Sequence, residues 1–160
     1  MLNIVRYFKI KKMVKAIDKT VKVRYAKRLE CEPDNAKIYI GFKNVEMENR
    51  VFRNYVNELV PNKLFNKYSD TLLGVLHELG HIYTIDQVSE SEYLQDVDLL
   101  YGLREKNLIS AEQMNEFYVR LPLESVATKW ALEFISLNTD FCKKWNKAIM
   151  STSREVRRYW

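Results

Sequence analysis

His77, Glu78 and His81 stand in the order His-Glu-x-x-His within LLGVLHELGHIYT, residues 72–84. Histidines four apart on an α-helix share one face, one turn above the other, so both imidazoles can reach a single ion at about 2.0–2.1 Å. Glu78 follows His77 directly and projects about 100° further round the helix. It then stands beside the ion without ligating it, where a general base can take a proton from a water molecule. The chain contains two histidines in all, and both are here. A site with three histidines is therefore excluded, and a third protein ligand must be a carboxylate or, less suitably, a cysteine. Two imidazoles with a carboxylate suit Zn2+. The competing reading is a set of polar side chains on a helix surface. Against it, the flanks Leu72, Leu73, Val75, Leu76, Leu79, Ile82 and Ile85 are too apolar for a surface helix. Buried polar side chains without partners would cost several kcal/mol.

Several acids could complete the site. Asp86 lies five residues past His81, about 140° round the helix, and points away. Glu90, Glu92, Asp96 and Asp98 fall in an acidic stretch with the character of a surface, and Glu112 and Glu116 flank apolar positions of a surface helix. Glu124 differs. In a helix over 123–137 it shares a face with Ala127, Ala131 and Ile135, next to Trp130 and Phe134. The small alanines let another helix approach, and a carboxylate on that buried face needs a cationic partner. Its alternative role is an ordinary first-turn Glu favoured by the helix dipole. Glu133 reads as solvated, four residues from Lys129. Gly80, between the two histidines, costs about 1 kcal/mol relative to Ala, so close packing against it is expected.

The elements that must position these residues follow from periodicity. Residues 2–18 carry apolar positions at helical spacing. Residues 20–26 alternate as a half-buried strand, Pro33-Asp34-Asn35 is a turn, and 37–42 is a second strand expected to pair antiparallel with the first. A helix spans 45–60 and stops at Pro61, and 62–68 is ambiguous. The motif helix runs from Asp70 to Tyr83 or Ile85, capped by Ser69 or Asp70. Helices follow over 92–107, 110–121, 123–137 and 140–160. The class is α+β and mostly helical: a small antiparallel β-region near the N-terminus, a buried central helix and a helical C-terminal half.

The 160 residues suit one domain, and 47% hydrophobic content supplies a packed core. No apolar run is long enough to span a membrane. The N-terminus breaks its apolar residues with Lys and Arg and lacks the pattern of a signal peptide, and Cys31 and Cys142 read as isolated reduced thiols. A cytoplasmic protein of a microbe or of its virus is expected. The net charge of +5 is unevenly spread. Residues 1–28 hold ten Lys or Arg and one acid, whereas 69–124 hold three basic and eleven acidic residues. Such a basic segment, if peripheral to the domain, can bind nucleic acid or an acidic partner; the plainer reading is a solvated face, and no nucleic-acid motif is present.

HELGH followed by Glu124-x-x-Ala127-x-x-Trp130-Ala131 resembles the ImmA/IrrE-type metallopeptidases of bacteria, phages and mobile elements, whose second motif is E-x-x-A-x-x-F-A. The resemblance covers about residues 66–137 and leaves helical sequence over 90–118 between the two motifs. It implies a zincin-like fold and a gluzincin-like site, with zinc on His77, His81 and Glu124 and with Glu78 as catalytic base. It also implies a protein substrate of the repressor or regulator class. Tyr83, Tyr93, Tyr101, Tyr118 and Arg120 are candidates for an oxyanion donor, and the strand at 37–42 could dock an extended peptide. The alternative from another class is a zinc-stabilised interaction protein that uses residues 1–28 to bind nucleic acid or a partner. A glutamate at position 78 favours the enzyme, because a purely structural site needs only ligands.

Overall fold

The computed structural model describes residues 2–42, 46–60 and 64–151. Within them the chain runs α1 (Leu2–Ile17), β1 (Lys22–Tyr25), β2 (Glu30–Glu32), β3 (Lys37–Ile40), α2 (Glu46–Leu59), α3 (Asp70–Thr84), α4 (Glu90–Glu105), α5 (Ala111–Tyr118), α6 (Pro122–Leu137) and α7 (Thr139–Met150). Short 3-10 turns occupy Pro33–Asn35, Leu64–Lys67 and Ile85–Gln87. Val45, Pro61 and residues 152–160, where the sequence begins, stops or extends helices, lie outside the described residues. The architecture is mostly helical α+β with a small mixed sheet.

The sheet corrects the antiparallel pairing expected of the first and second strands. Its order is β1-β3-β2, with β1 parallel to β3 and β2 antiparallel to β3. The Pro33 turn is present, but it joins β3 to β2, the short segment Glu30-Cys31-Glu32. Because that turn connects the two directly, β2 takes the antiparallel place. Lys37 then faces Glu32 in register and bonds it at 2.6 Å. Ile38 and Ile40 of β3 are fully buried. Being paired on both sides, β3 has no free edge to lend a peptide, contrary to the docking role its sequence suggested.

Residues 1–28 are not a detached basic arm. On α1, Ile10, Met13 and Val14 lie fully inside the core, and the Tyr7 hydroxyl donates to the Val23 carbonyl at 3.3 Å. The cations Lys12, Lys19, Lys22, Arg24, Lys27 and Arg28 remain exposed. One-sided burial of this kind is how an amphipathic helix obtains stability that propensity alone does not provide.

Helix α3 is the centre of the core. Leu72, Leu73, Val75, Leu76 and Leu79 are at most 1% exposed. Ser69 is the N-cap, its side chain accepting from the Leu72 N–H at 3.2 Å. Asp70 takes a different role, an ion pair with Arg53 of α2. Arg53 also donates to the carbonyls of Phe65 at 3.2 Å and Tyr68 at 3.0 Å. Asn146 of α7 completes the clip, accepting from the Ser69 N–H at 2.9 Å and donating to the Lys67 carbonyl at 3.1 Å. The turn preceding α3 is thus fixed from two sides. None of the described helices is long and apolar enough to cross a membrane.

Candidate metal centre

Helix α6 brings Glu124 to the two histidines because the facing residues are small. Gly80 of α3 lies directly against the backbone of Ala127, and Ala127 and Ala131 are buried in the same seam. Glu124, in the first turn of α6, is 6% exposed, as is His81. His77 and His81 present their Nε2 atoms 3.1 Å apart. Glu124 Oε2 is 3.1 Å from His77 Nε2 and 3.4 Å from His81 Nε2. Ligands at about 2.0–2.1 Å in a tetrahedral set stand about 3.3–3.4 Å apart. The triangle has the size of one face of such a set. His77, His81 and Glu124 could therefore hold one metal ion. The alternative acids Asp86, Glu90, Glu92, Asp98, Glu112 and Glu116 are exposed and stand outside this group.

A residue that the sequence did not single out sharpens the chemistry. Thr128, one turn beyond Glu124, is 1% exposed. Its hydroxyl donates to the Glu124 carbonyl at 2.8 Å and lies 3.1 Å from His77 Nδ1. The hydroxyl has one proton, and the carbonyl takes it. Thr128 Oγ1 must then accept from His77 Nδ1–H, which leaves Nε2 of the neutral ring as a lone pair aimed at the carboxylate. This tautomer is assigned from the hydrogen-bond network. Two acceptors facing each other in a buried site require a cation between them, either a proton or a metal ion. The i,i+4 spacing of Glu124 and Thr128 was the available signal.

Burial works against the charge of Glu124, but hydrogen bonds and charge from His77 and His81 outweigh it and hold the carboxyl far below its usual range. Burial likewise disfavours the His81 cation, yet the Glu124 hydrogen bond and the charges of Glu124 and Glu78 leave its pKa raised.

Glu78 is half-buried. The Cys31 thiol of β2 lies against it. Burial, followed by the charge and hydrogen bond of Glu78, raises the thiol's pKa, so Cys31 stays protonated and can donate to the carboxylate. Cys31 and Cys142 are both free. Phe52 of α2 sets its ring edgewise on His77, with centroids 5.2 Å apart.

The structure separates the five oxyanion candidates. Tyr83 bonds Asp18 at 2.8 Å and stacks on Trp130, Arg120 pairs with Glu58, and Tyr101 is exposed. Tyr93 of α4 and Tyr118 of α5 reach the centre. Their hydroxyls are 2.8 Å apart, and Tyr93 donates to Glu124 Oε1 at 3.3 Å. Burial raises the pKa of both phenols, with further contributions from Glu124, so both remain protonated.

Compared with protein-family profiles, curated proteins and solved structures, the chain matches none of them.

Proposed function

We propose that this chain is a zinc metallopeptidase of the ImmA/IrrE type, with a zincin-like arrangement of sheet and motif helix. It hydrolyses a peptide bond in a protein inside the cell, a regulator or repressor by resemblance. His77, His81 and Glu124 would hold the ion, and Glu78 is the catalytic base. The observation that carries this reading is the buried meeting of His77, His81 and Glu124 around one point, with the Thr128 hydroxyl on the far nitrogen of His77.

A zinc ion held there would act as a Lewis acid, easing deprotonation of water and polarising the scissile carbonyl. Glu78 takes a proton from the attacking water and returns it to the departing amine, so that one water is consumed and an acid and an amine are released. The protonated Cys31 thiol of β2 stands beside Glu78. An extended substrate has β2 available as the edge strand beside the site, since β2 pairs on one side with β3.

The second reading keeps the metal and drops turnover, with the exposed cations of residues 1–28 binding nucleic acid or an acidic partner. Glu78→Gln separates the two. Zinc-loaded wild type and variant are incubated with a proteome-derived peptide library, and new N-termini are read by mass spectrometry. The variant should keep its zinc and lose cleavage by about 100- to 10,000-fold. Equal cleavage by the variant, or none by zinc-loaded wild type, contradicts the peptidase reading.

A further inference from the structure

Helices α4 and α5 lie in the sequence between the two motifs, and each sends one tyrosine to the same carboxylate. An ionised Glu124 can only accept, so Tyr93 must spend its proton on Oε1 at 3.3 Å. The Tyr93 oxygen, 2.8 Å from the Tyr118 oxygen, is then left to accept, and Tyr118 must donate. With Tyr93 donating to Glu124, the pair runs Tyr118 to Tyr93 to Glu124, and Tyr118 also stands within reach of the carboxylate. The other carboxylate oxygen, Oε2, faces His77 and His81.

We infer that Tyr93, backed by Tyr118, is a positioning residue for Glu124. It occupies Oε1 so that the carboxylate meets the metal through Oε2 alone, and it makes the α4–α5 hairpin part of the metal centre. This inference rests on the proposed metal site. Its physical basis is that a carboxylate held at one oxygen loses the rotation that would let it chelate through both or turn away. Outer partners of this kind are commonly worth about 10–100-fold in metal affinity. The two hydroxyls are also unequal. Tyr93→Phe removes the bond to Glu124 at 3.3 Å and the acceptor of the Tyr118 hydroxyl. Tyr118→Phe removes the donor behind Tyr93 and the weaker contact of Tyr118 itself with Glu124, and leaves the Tyr93 bond in place.

The test is zinc affinity by chelator competition, together with the visible spectrum of the Co(II)-loaded protein, on wild type, Tyr93→Phe, Tyr118→Phe and the double variant. Metal-free melting temperatures serve as the control of folding. Tyr93→Phe should bind zinc about 10–100-fold more weakly. Tyr118→Phe should lose less, and the double variant should match Tyr93→Phe. The Co(II) bands of Tyr93→Phe should weaken and shift as the freed carboxylate turns to chelate, a change that a purely packing role would not produce. If Tyr93→Phe does not fold, Tyr118→Phe carries the test: weaker zinc binding at an unchanged melting temperature supports the relay, and unchanged binding overturns it. Zinc affinity and Co(II) spectrum of Tyr93→Phe equal to those of wild type overturn the inference and leave the metal site standing. A Tyr118→Phe loss as large as that of Tyr93→Phe overturns the relay's direction. Wild type that binds neither ion refutes the metal site itself.

Discussion

A methyl group on Gly80 would stand less than 3 Å from the Cα, carbonyl carbon and carbonyl oxygen of Ala127. Those atoms are helix backbone and cannot turn aside as a flexible side chain would. The absence of a side chain at position 80 therefore sets the separation of α3 and α6, and with it the distance from Glu124 to the histidines. Gly80→Ala should gain helix propensity of about 1 kcal/mol. It should nevertheless lose about 1–3 kcal/mol through overpacking. Because the helices are pushed apart at the site, zinc affinity should fall by at least about 10-fold. Chemical denaturation and zinc titration of the same variant check both effects. A stabilised variant with unchanged affinity would contradict the close seam.

Thr128 offers a cleaner test of the tautomer. Thr128→Val keeps the shape and removes the acceptor for His77 Nδ1–H. Zinc affinity should fall by about 10–100-fold, and Thr128→Ser should restore most of it. If valine binds zinc as well as threonine, the proton on Nδ1 is held by something else.

The acidity of the site gives a pH dependence. His81 has a raised pKa because its bond to Glu124 and the neighbouring carboxylates outweigh burial. The stability it contributes is complete below its ordinary value of 6.5 and is lost as pH rises through the higher folded value. Glu124 has a strongly lowered pKa, so its contribution is complete above its ordinary value of 4.5 and is lost as pH falls. The metal-free pair therefore stabilises most between about pH 4.5 and pH 6.5. Zinc competes with the His81 proton, so its affinity rises across the same titration. The melting-temperature gap between zinc-loaded and metal-free protein should widen from about pH 6 to about pH 8. A constant gap would mean that His81 is not displaced from its proton by the metal.

Arg53 tests the scaffold apart from the chemistry. It binds Asp70 and two backbone carbonyls from a largely buried position; of these the Phe65 carbonyl also accepts from the Tyr68 N–H at 3.0 Å. Arg53→Met should cost about 2–4 kcal/mol in equilibrium unfolding. A loss below about 0.5 kcal/mol would show that the pair behaves as an exposed one.

Much of this was legible because local rules and tertiary structure agree. Ser69 or Asp70 was readable as the cap of the motif helix, and Ser69 is the residue that caps it. The apolar girdle of α3 predicted its burial, and the alanine seam of α6 pointed to Glu124. The sheet was misread because Glu30-Cys31-Glu32 shows no alternation, so the antiparallel partner of β3 was invisible and β1 was put in its place. Thr128 was missed because a threonine in a helix is ordinarily explained by its bond to the preceding turn, and here the same oxygen also serves His77. Among five candidate side chains, Tyr93 and Tyr118 could be chosen only once α4 and α5 had been folded over Glu124, a long-range fact that periodicity does not carry.

The claim that His77, His81 and Glu124 hold one metal ion is tested most directly by zinc X-ray absorption of the loaded protein. The account predicts one zinc per chain with two imidazole rings and oxygen at about 2.0–2.2 Å and no sulfur. A sulfur shell at about 2.3 Å would move the site to a cysteine. A signal with fewer than two imidazoles would contradict the assignment outright.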